Sequence, residues 1–293
     1  MATRQNSGRK TATGGAETMK SLRTAIRVLM EFAGEQRDYG VGELAQRCGL
    51  SKSHVSKILD AFAEHRLLAQ DDESHRYSVG VRAYALGSRF LTHDRLCRAA
   101  MPVMRDLVDR TGHSARLSVL DGEHALYLMG LEGPLFVDTG WRSGTWLPVH
   151  STSAGRVLLA FMDPDQAENL LARQPLRRVT ERTVVDLPTI QRLVNQTRNK
   201  GYASQRGETT PGLGTVAVPI FSAGQTVIGT LGLAFPSHLV QAKDEPRLAN
   251  VLHQSARTLS QRMGSTVYPF GHDPPPAPAA LVGAEREARR ASR

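Results

Sequence analysis

The segment Val41-Gly-Glu-Leu-Ala-Gln-Arg-Cys-Gly-Leu-Ser-Lys-Ser-His-Val-Ser-Lys-Ile-Leu59 decides the fold of the amino-terminal half. Its pattern predicts a helix over Val41–Cys48, a tight turn at Gly49-Leu50-Ser51, and a second helix from about Lys52 to His65. Ser51 suits the N-cap because its hydroxyl can accept a backbone N–H that the first helical turn leaves unpaired. Four apolar residues then recur at helical spacing and form a stripe that can pack on the protein: Val55, Ile58, Leu59 and Phe62.

The opposite face of the second helix is polar and carries hydrogen-bond donors. Lysine and serine side chains can bond base edges or phosphates when a helix lies in the major groove of DNA. The residues predicted to contact DNA are Ser51, Lys52, Ser53, His54, Ser56 and Lys57. The alternative is a polar helix face that contacts only water. The capped turn before this helix and the hairpin predicted after it favour contact with DNA.

A β-hairpin is predicted between Leu67 and Gly80. Two short runs with apolar residues flank a polar turn there, which is the usual pattern of a hairpin. A further helix, Ser21–Phe32, precedes the segment quoted above. Three helices followed by a hairpin make a winged helix-turn-helix. Arg76, in the hairpin that forms the wing, is predicted to rest on the sugar-phosphate backbone.

The carboxyl-terminal half changes character and mixes strands with helices. Residues 114–120 alternate apolar and polar, Asp121-Gly122 is a strong turn signal, and residues 125–131 form the returning strand. This mixture predicts an α+β domain in which helices flank an antiparallel sheet. The predicted organisation is a disordered arm (1–18), a winged helix-turn-helix (19–80), a linker helix (81–95), the α+β domain (96–266) and a disordered tail (267–293).

Length, charge and cysteine content limit the class of protein. The 293 residues suffice for two domains, and the net charge of +9 favours a polyanionic partner. No apolar run is long enough to span a bilayer, so no membrane association is expected. Two cysteines form no disulfide framework, which predicts reduced thiols and a cytoplasmic location. Cys48 is expected to be a buried core thiol.

No catalytic constellation is evident in the sequence. His113, His124 and His150 lack both the HExxH spacing and a nearby pair of carboxylates. Gly212-Leu213-Gly214 lacks the third glycine of a dinucleotide fingerprint, and Ser153 is not in a nucleophile elbow. We therefore predict no catalytic residue, no metal and no cofactor.

These features together resemble the IclR family of bacterial transcription regulators. The resemblance covers about Ser21 to Ser260. In the first half it rests on Leu44-Ala45, on Gly49-Leu-Ser-Lys-Ser53 with Val55, and on the wing ending Arg76-Tyr-Ser-Val-Gly80. In the second half it rests on Leu147-Pro-Val-His-Ser-Thr-Ser-Ala-Gly-Arg-Val-Leu-Leu-Ala160, Lys200-Gly-Tyr202, Pro211-Gly-Leu213 and Val218-Pro-Ile220. The resemblance implies a GAF-like fold for the α+β domain.

The resemblance also implies a small-molecule effector, bound in a pocket between the sheet and its covering loops. Leu147, Ser153 and Ala154 match pocket-forming positions of relatives that bind small acids. Operator binding would then be modulated by this effector. The expected partners are a double-stranded DNA operator and further copies of the chain, forming a homodimer or homotetramer through the first and linker helices.

Four matched pocket positions depart from the family pattern. An acidic residue, a cysteine and two serines are usual at positions occupied here by Gln205, Thr215, Gly232 and Ala234. Such a pocket has fewer polar anchors and more room, which argues against a glyoxylate-like or pyruvate-like effector. A larger effector, such as an aromatic compound, is expected.

Two alternatives to a ligand-responsive regulator stay open at this point. The first is an enzyme fused to a DNA-binding module, which needs a catalytic constellation. The second is an architectural DNA-binding protein without a ligand, whose affinity would depend mostly on salt.

Overall fold

The computed structural model describes residues 11–34, 36–135, 143–173 and 175–271, and the chain divides into two units between Thr92 and His93. The amino-terminal elements are α1 (Thr11–Met30), β1 (Asp38–Tyr39), α2 (Val41–Cys48), α3 (Lys52–Glu64), β2 (Leu68–Gln70), β3 (Tyr77–Val79) and α4 (Val81–His93). No helix in the described ranges has the length and apolarity that crossing a membrane requires.

The first unit is a winged helix-turn-helix, as predicted. β3 pairs antiparallel with both β1 and β2, in the order β1-β3-β2. The core contains Val28 of α1, Leu44 of α2 and Leu59 of α3, all with no exposed surface. Cys48 is buried at the edge of this core, and burial raises the pKa of its thiol, so the expected core thiol is confirmed.

Two elements of this unit differ from the sequence prediction. β1 was not predicted from the sequence, because two residues are too few to show an alternating pattern. It exists because Asp38 and Tyr39 pair with Ser78 and Tyr77 of the wing. α1 begins at Thr11 rather than Ser21, so the predicted arm boundary at residue 18 falls inside a helix. No proline interrupts residues 11–20. The rest of the predicted arm, residues 1–10, lies outside the described residues.

The second unit is built on one antiparallel sheet. Its elements are α5 (Arg95–Thr111), β4 (Ser114–Asp121), β5 (His124–Leu131), β6 (Thr145–Pro148), α6 (Ser153–Ala160), α7 (Pro164–Arg173), α8 (Leu187–Lys200), β7 (Ala203–Arg206), β8 (Leu213–Phe221), β9 (Val227–Pro236) and α9 (Glu245–Arg262). The strand order is β6-β5-β4-β9-β8-β7, which confirms the predicted α+β class. The sequence analysis missed β7, a four-residue strand at the sheet edge.

Helices cover both faces of the middle of this sheet. Residues 216–221 of β8 and 229–236 of β9 are buried without a break. Because successive side chains of a strand point to opposite faces, unbroken burial requires cover on both sides. α6 packs on β7, β8 and β9 and against α8, while α9 packs on β8 and against α5.

The chain beyond α9 packs back on the domain, which corrects the predicted tail boundary at residue 267. The Tyr268 side chain is buried, and its hydroxyl donates to the Pro219 carbonyl at 3.2 Å. The same hydroxyl lies 2.9 Å from Nδ1 of His253, whose pKa burial lowers to about 4. Arg257 donates to the carbonyls of Phe270 and Gly271 at 2.8 and 2.6 Å. The composition of the segment after α9 did not predict these contacts, because their partners lie in β8 and α9. Residues 272–293 of the predicted tail lie outside the described residues.

Replacing Tyr268 with alanine should therefore destabilise the second unit. We expect the free energy of unfolding to fall by about 3 kcal/mol, because a buried ring and its hydrogen bonds are lost together. Urea denaturation followed by circular dichroism measures the change. The exposed neighbour is the control, and Val267→Ala should change stability by less than about 0.5 kcal/mol. Equal losses from both variants would contradict the packed segment.

Candidate functional site

The polar face of α3 is exposed, as the sequence predicted. Ser51, Lys52, Ser53, His54 and Lys57 are exposed, and Ser56 is half-buried. Ser51 caps the helix, since its hydroxyl oxygen accepts from the backbone N–H of His54 at 3.3 Å. The predicted stripe faces inward, with Val55, Ile58 and Leu59 buried in the core of the unit. The six predicted side chains thus share one accessible end and flank of the helix.

Arg76 has partners within the protein, and its predicted contact with the sugar-phosphate backbone stays a prediction. Its guanidinium forms ion pairs with Asp38 and Glu43, the second at 3.0 Å, and donates to the Asp38 carbonyl at 3.0 Å. These contacts hold the wing against β1 and α2. The wing turn also carries three exposed acidic residues at 71–73, which would repel phosphate. Arg76 therefore has a structural role within the wing, and α3 carries the exposed donors of the candidate DNA interface.

The strand register of the second unit aligns four of the predicted effector positions. Gln205 of β7 pairs with Thr215 of β8, and Thr215 pairs with Ala234 of β9. Gly232 pairs with Ala217 in the next row of the same strands. Residues directly opposite one another in a sheet project from the same face, and positions two apart do so as well. All four therefore face one side of the sheet.

A cavity lies over this face, below the amino-terminal end of α6. It encloses about 600 Å³ of space free of protein atoms, including the part open to solvent. Ser153 and Ala154 come from the first turn of α6, and Leu147 comes from β6. All seven residues predicted for effector binding line this single cavity: Leu147, Ser153, Ala154, Gln205, Thr215, Gly232 and Ala234.

The sequence analysis missed ten further residues of the lining. They are Arg116, Ser118, Tyr127, Thr152, Thr209, Leu213, Val216, Ala217, Thr230 and Leu233. The signal for two of them was present, since Arg116 and Ser118 are two residues apart in β4 and share a face. What the sequence lacked was the pairing of β4 with β9, which brings that face to the cavity.

The polar groups of the cavity are mostly paired with one another. The hydroxyls of Ser153 and Thr215 lie 2.8 Å apart. The Gln205 side chain donates to Thr209 at 3.3 Å and accepts from the backbone N–H of Glu208 at 2.9 Å. Gln205 therefore positions the loop after β7 besides lining the cavity. In the described residues, no three His, Cys, Asp or Glu side chains come close enough to hold a metal ion.

Comparisons with known proteins match both units of the chain. The IclR helix-turn-helix domain matches residues 21–72, and the bacterial transcriptional regulator IclR C-terminal domain matches residues 88–261. The chain belongs to the IclR family. The regulator KdgR of Escherichia coli K12 is 32% identical over 242 residues, which cover 83% of this chain and 92% of KdgR.

Solved structures of IclR proteins share the fold. An IclR regulator from Alicyclobacillus acidocaldarius superposes with a TM-score of 0.73 at 28% identity, over 84% of this chain and 99% of that one. An IclR homologue from Microbacterium hydrocarbonoxydans, crystallised with 4-hydroxybenzoate, gives 0.70 at 27% identity, over 83% and 98% of the two chains. This IclR protein is accordingly a transcriptional regulator with a DNA-binding helix-turn-helix and a carboxyl-terminal ligand-binding domain, and not an enzyme.

A buried ion pair positions the end of α6 that covers the cavity in this IclR chain. The Arg156 guanidinium donates to both carboxylate oxygens of Glu208, at 2.8 and 2.6 Å. Arg156 also donates to the carbonyls of His150 and Ser204, at 3.0 and 3.3 Å. These bonds join α6, the segment that leads into it and the loop after β7. Glu208 in turn accepts from the backbone N–H of Val184 at 3.3 Å.

Removing Glu208 should leave the Arg156 charge buried without a partner. Glu208→Ala is expected to lower the free energy of unfolding by about 3–5 kcal/mol, because an uncompensated buried charge is costly. Urea unfolding measures the loss. The matched control is Glu168→Ala on the exposed side of α7, which should change stability by less than about 0.5 kcal/mol. A loss no larger than that of the control would show that the ion pair does not hold this region.

Proposed function

We propose that this regulator binds a double-stranded operator through the exposed face of α3, and that an aromatic or similarly large small molecule modulates this binding from the cavity of the second unit. The observation that carries the proposal is the convergence of the seven predicted effector positions on one cavity. A ligand acts on the operator complex only if it binds the competent and incompetent arrangements with different affinity.

The DNA part of the proposal rests on the chemistry of the α3 face. Lys52 and Lys57 supply positive charge, and Ser53 and His54 supply donors at the start of the helix. In helix-turn-helix proteins the amino-terminal residues of the second helix contact base edges. The first turn of α3, which begins after the N-cap Ser51, is exposed, so its donors project from the protein surface.

The size and lining of the cavity favour a ring-sized effector. Gly232 and Ala234 place almost no side-chain volume over the sheet, while Leu147 and Leu213 supply apolar walls. Ser153 and Thr215 supply hydroxyls beside the amino terminus of α6, and the helix dipole there favours an acidic or polar substituent. The relative crystallised with 4-hydroxybenzoate supports an aromatic acid as the first compound to test.

A homodimer is the proposed binding unit. Four exposed apolar side chains recur three or four residues apart along α1: Met19, Leu22, Ile26 and Met30. α4 has no buried residue, and three of its large apolar side chains, Tyr84, Leu86 and Phe90, are more than half exposed. Single copies rarely leave such stripes in water, and helix-turn-helix dimers bind two half-sites. A second copy of the chain is therefore the proposed partner of both helices.

Lys57→Ala should weaken operator binding by about 1–3 kcal/mol if the ammonium contacts a base, because one hydrogen bond to the operator is lost. A fluorescence-anisotropy titration at fixed salt measures the dissociation constant. Lys243→Ala removes an exposed lysine from the second unit and should leave the constant unchanged. An unaltered affinity in Lys57→Ala would remove this residue from the interface.

Thr215→Val should shift the effector response, because the hydroxyl that pairs with Ser153 in the cavity is lost while the volume is kept. The response is measured as operator release and as a thermal shift, with a panel of aromatic acids, sugars and short carboxylates. Thr258→Val, on the exposed side of α9, is the control and should respond like the wild type. If the wild type stays bound to its operator with every compound and affinity depends on salt alone, the architectural alternative is favoured.

Ile26→Glu should dissociate the dimer, because it places a charge in the centre of the α1 stripe. Light scattering coupled to size-exclusion chromatography gives the mass. Lys20→Glu changes the charge on the same helix outside the stripe and should keep the wild-type mass. A monomeric wild type at micromolar concentration would contradict the proposed interface.

A further inference from the structure

Among the described residues that line the cavity, one is positively charged, and it is Arg116. Arg116 lies in β4, and only 16% of its side chain is exposed. Its neighbours on the adjacent strands are Gly130 of β5 and Gly232 of β9. Because both neighbours lack a side chain, the long arginine side chain has room to lie along the sheet toward the cavity.

The glycine at position 130 is needed for this arrangement. A Cβ atom there would overlap the Tyr127 hydroxyl and come within 3.0 Å of Arg116 Nη1. With glycine present, the guanidinium lies over the Tyr127 ring, 5.0 Å from its centroid. Tyr127 is buried and also lines the cavity. The pair is therefore a built feature of the wall, in which an arginine is held over an aromatic ring.

The Arg116 guanidinium forms an ion pair with a carboxylate of the protein itself. Glu132 Oε1 lies 2.8 Å from Arg116 Nη2, and Oε2 accepts from the same nitrogen at 3.0 Å. Oε2 also accepts from the Ser114 hydroxyl at 2.7 Å. The Glu132 side chain is half exposed, whereas Arg116 is mostly buried. Because Glu132 is half exposed, an incoming carboxylate can take its place on the guanidinium, and the mostly buried Arg116 charge then stays paired.

We propose that Arg116 binds the carboxylate of an acidic effector and that Glu132 is an internal carboxylate which the effector displaces. This inference rests on the proposed function of the cavity and names its ligand class. That class is a monocarboxylic acid on a ring-sized apolar body. The body fills the space over Gly232 and Ala234, and the acid group takes the planar fork of the guanidinium.

Displacement of Glu132 also gives the effector a way to change the protein. The Ser114 hydroxyl holds Glu132 and accepts from the backbone N–H of Gly133 at 3.2 Å. Glu132 and Gly133 are the first residues after β5, so losing the ion pair loosens the start of the segment that leaves this strand. A neutral compound of the same shape leaves the pair in place. Acids and their amides should therefore differ both in affinity and in their effect on the operator complex.

The test compares five full-length variants with two matched pairs of probes. The variants are R116Q, R116K, E132Q and the exposed controls R105Q and E168Q. The probes are 4-hydroxybenzoate with 4-hydroxybenzamide, and benzoate with benzamide, titrated by calorimetry at constant ionic strength. The readout is the ratio of acid affinity to amide affinity, which a general loss of stability does not change.

We expect the acid to bind R116Q about tenfold more weakly than the wild type, with amide binding unchanged, because a bond to a charged donor is lost. E132Q should bind the acids about twofold to fivefold more tightly, because the competing carboxylate is gone. R116K should keep part of the acid preference, since the charge remains without the fork. R105Q and E168Q should keep the wild-type ratio.

Two results would overturn the inference. One is an R116Q protein with the wild-type preference for acids, and the other is an E132Q protein that shows no preference for acids over amides. The proposed function is judged separately, by operator release from the wild type. Acid preference in E132Q without operator release in the wild type would keep the Arg116 site and end the effector proposal. Operator release from the wild type, together with an unchanged ratio of acid affinity to amide affinity in R116Q, would keep the effector proposal and end the Arg116 site.

Discussion

The arrangement of the second unit depends on the buried ion pair between Arg156 and Glu208. Arg156 is almost fully buried, and two of its three partners, Ser204 and Glu208, are distant from it in the chain. Burying a guanidinium is costly unless a carboxylate and further acceptors compensate it. Glu208 and two backbone carbonyls do so here. The compensation works in only one geometry, and it holds α6 and the loop after β7 over the face of the sheet that forms the cavity.

Local sequence patterns were enough to predict most of the fold. α2 begins and ends at the predicted residues, and the predicted cap of α3, Ser51, accepts a backbone N–H group. These features are local, since an N-cap needs only the few residues that follow it. The elements that were missed or misplaced are not local. β1 and β7 are short strands that exist through their partners, and Tyr268 packs because α9 and β8 provide a surface for it.

The candidate sites show the same division. The exposed face of α3 followed from helical periodicity, which requires no knowledge of other elements. The seven cavity positions followed from the resemblance to IclR proteins, and the structure brings them together through strand register and the cover of α6. Arg116 was missed because its role depends on glycines of two neighbouring strands. The partners of Arg76, Asp38 and Glu43, were not predicted because they are distant in sequence.

By itself, the sequence determined that this chain has a winged helix-turn-helix with a polar recognition face, followed by an α+β domain of the IclR type. Periodicity, capping and turn chemistry suffice for the helices, turns and strands because they act over a few residues, whereas the IclR type followed from the resemblance of the quoted motifs. Only the tertiary structure decided which charges are free and which are neutralised within the protein. In the structure Arg76 forms ion pairs with two carboxylates, and Arg116 forms an ion pair with Glu132 at the cavity wall. Such pairings join residues far apart in the chain, and a charge acquires its role only when folding brings its partner within a few ångströms.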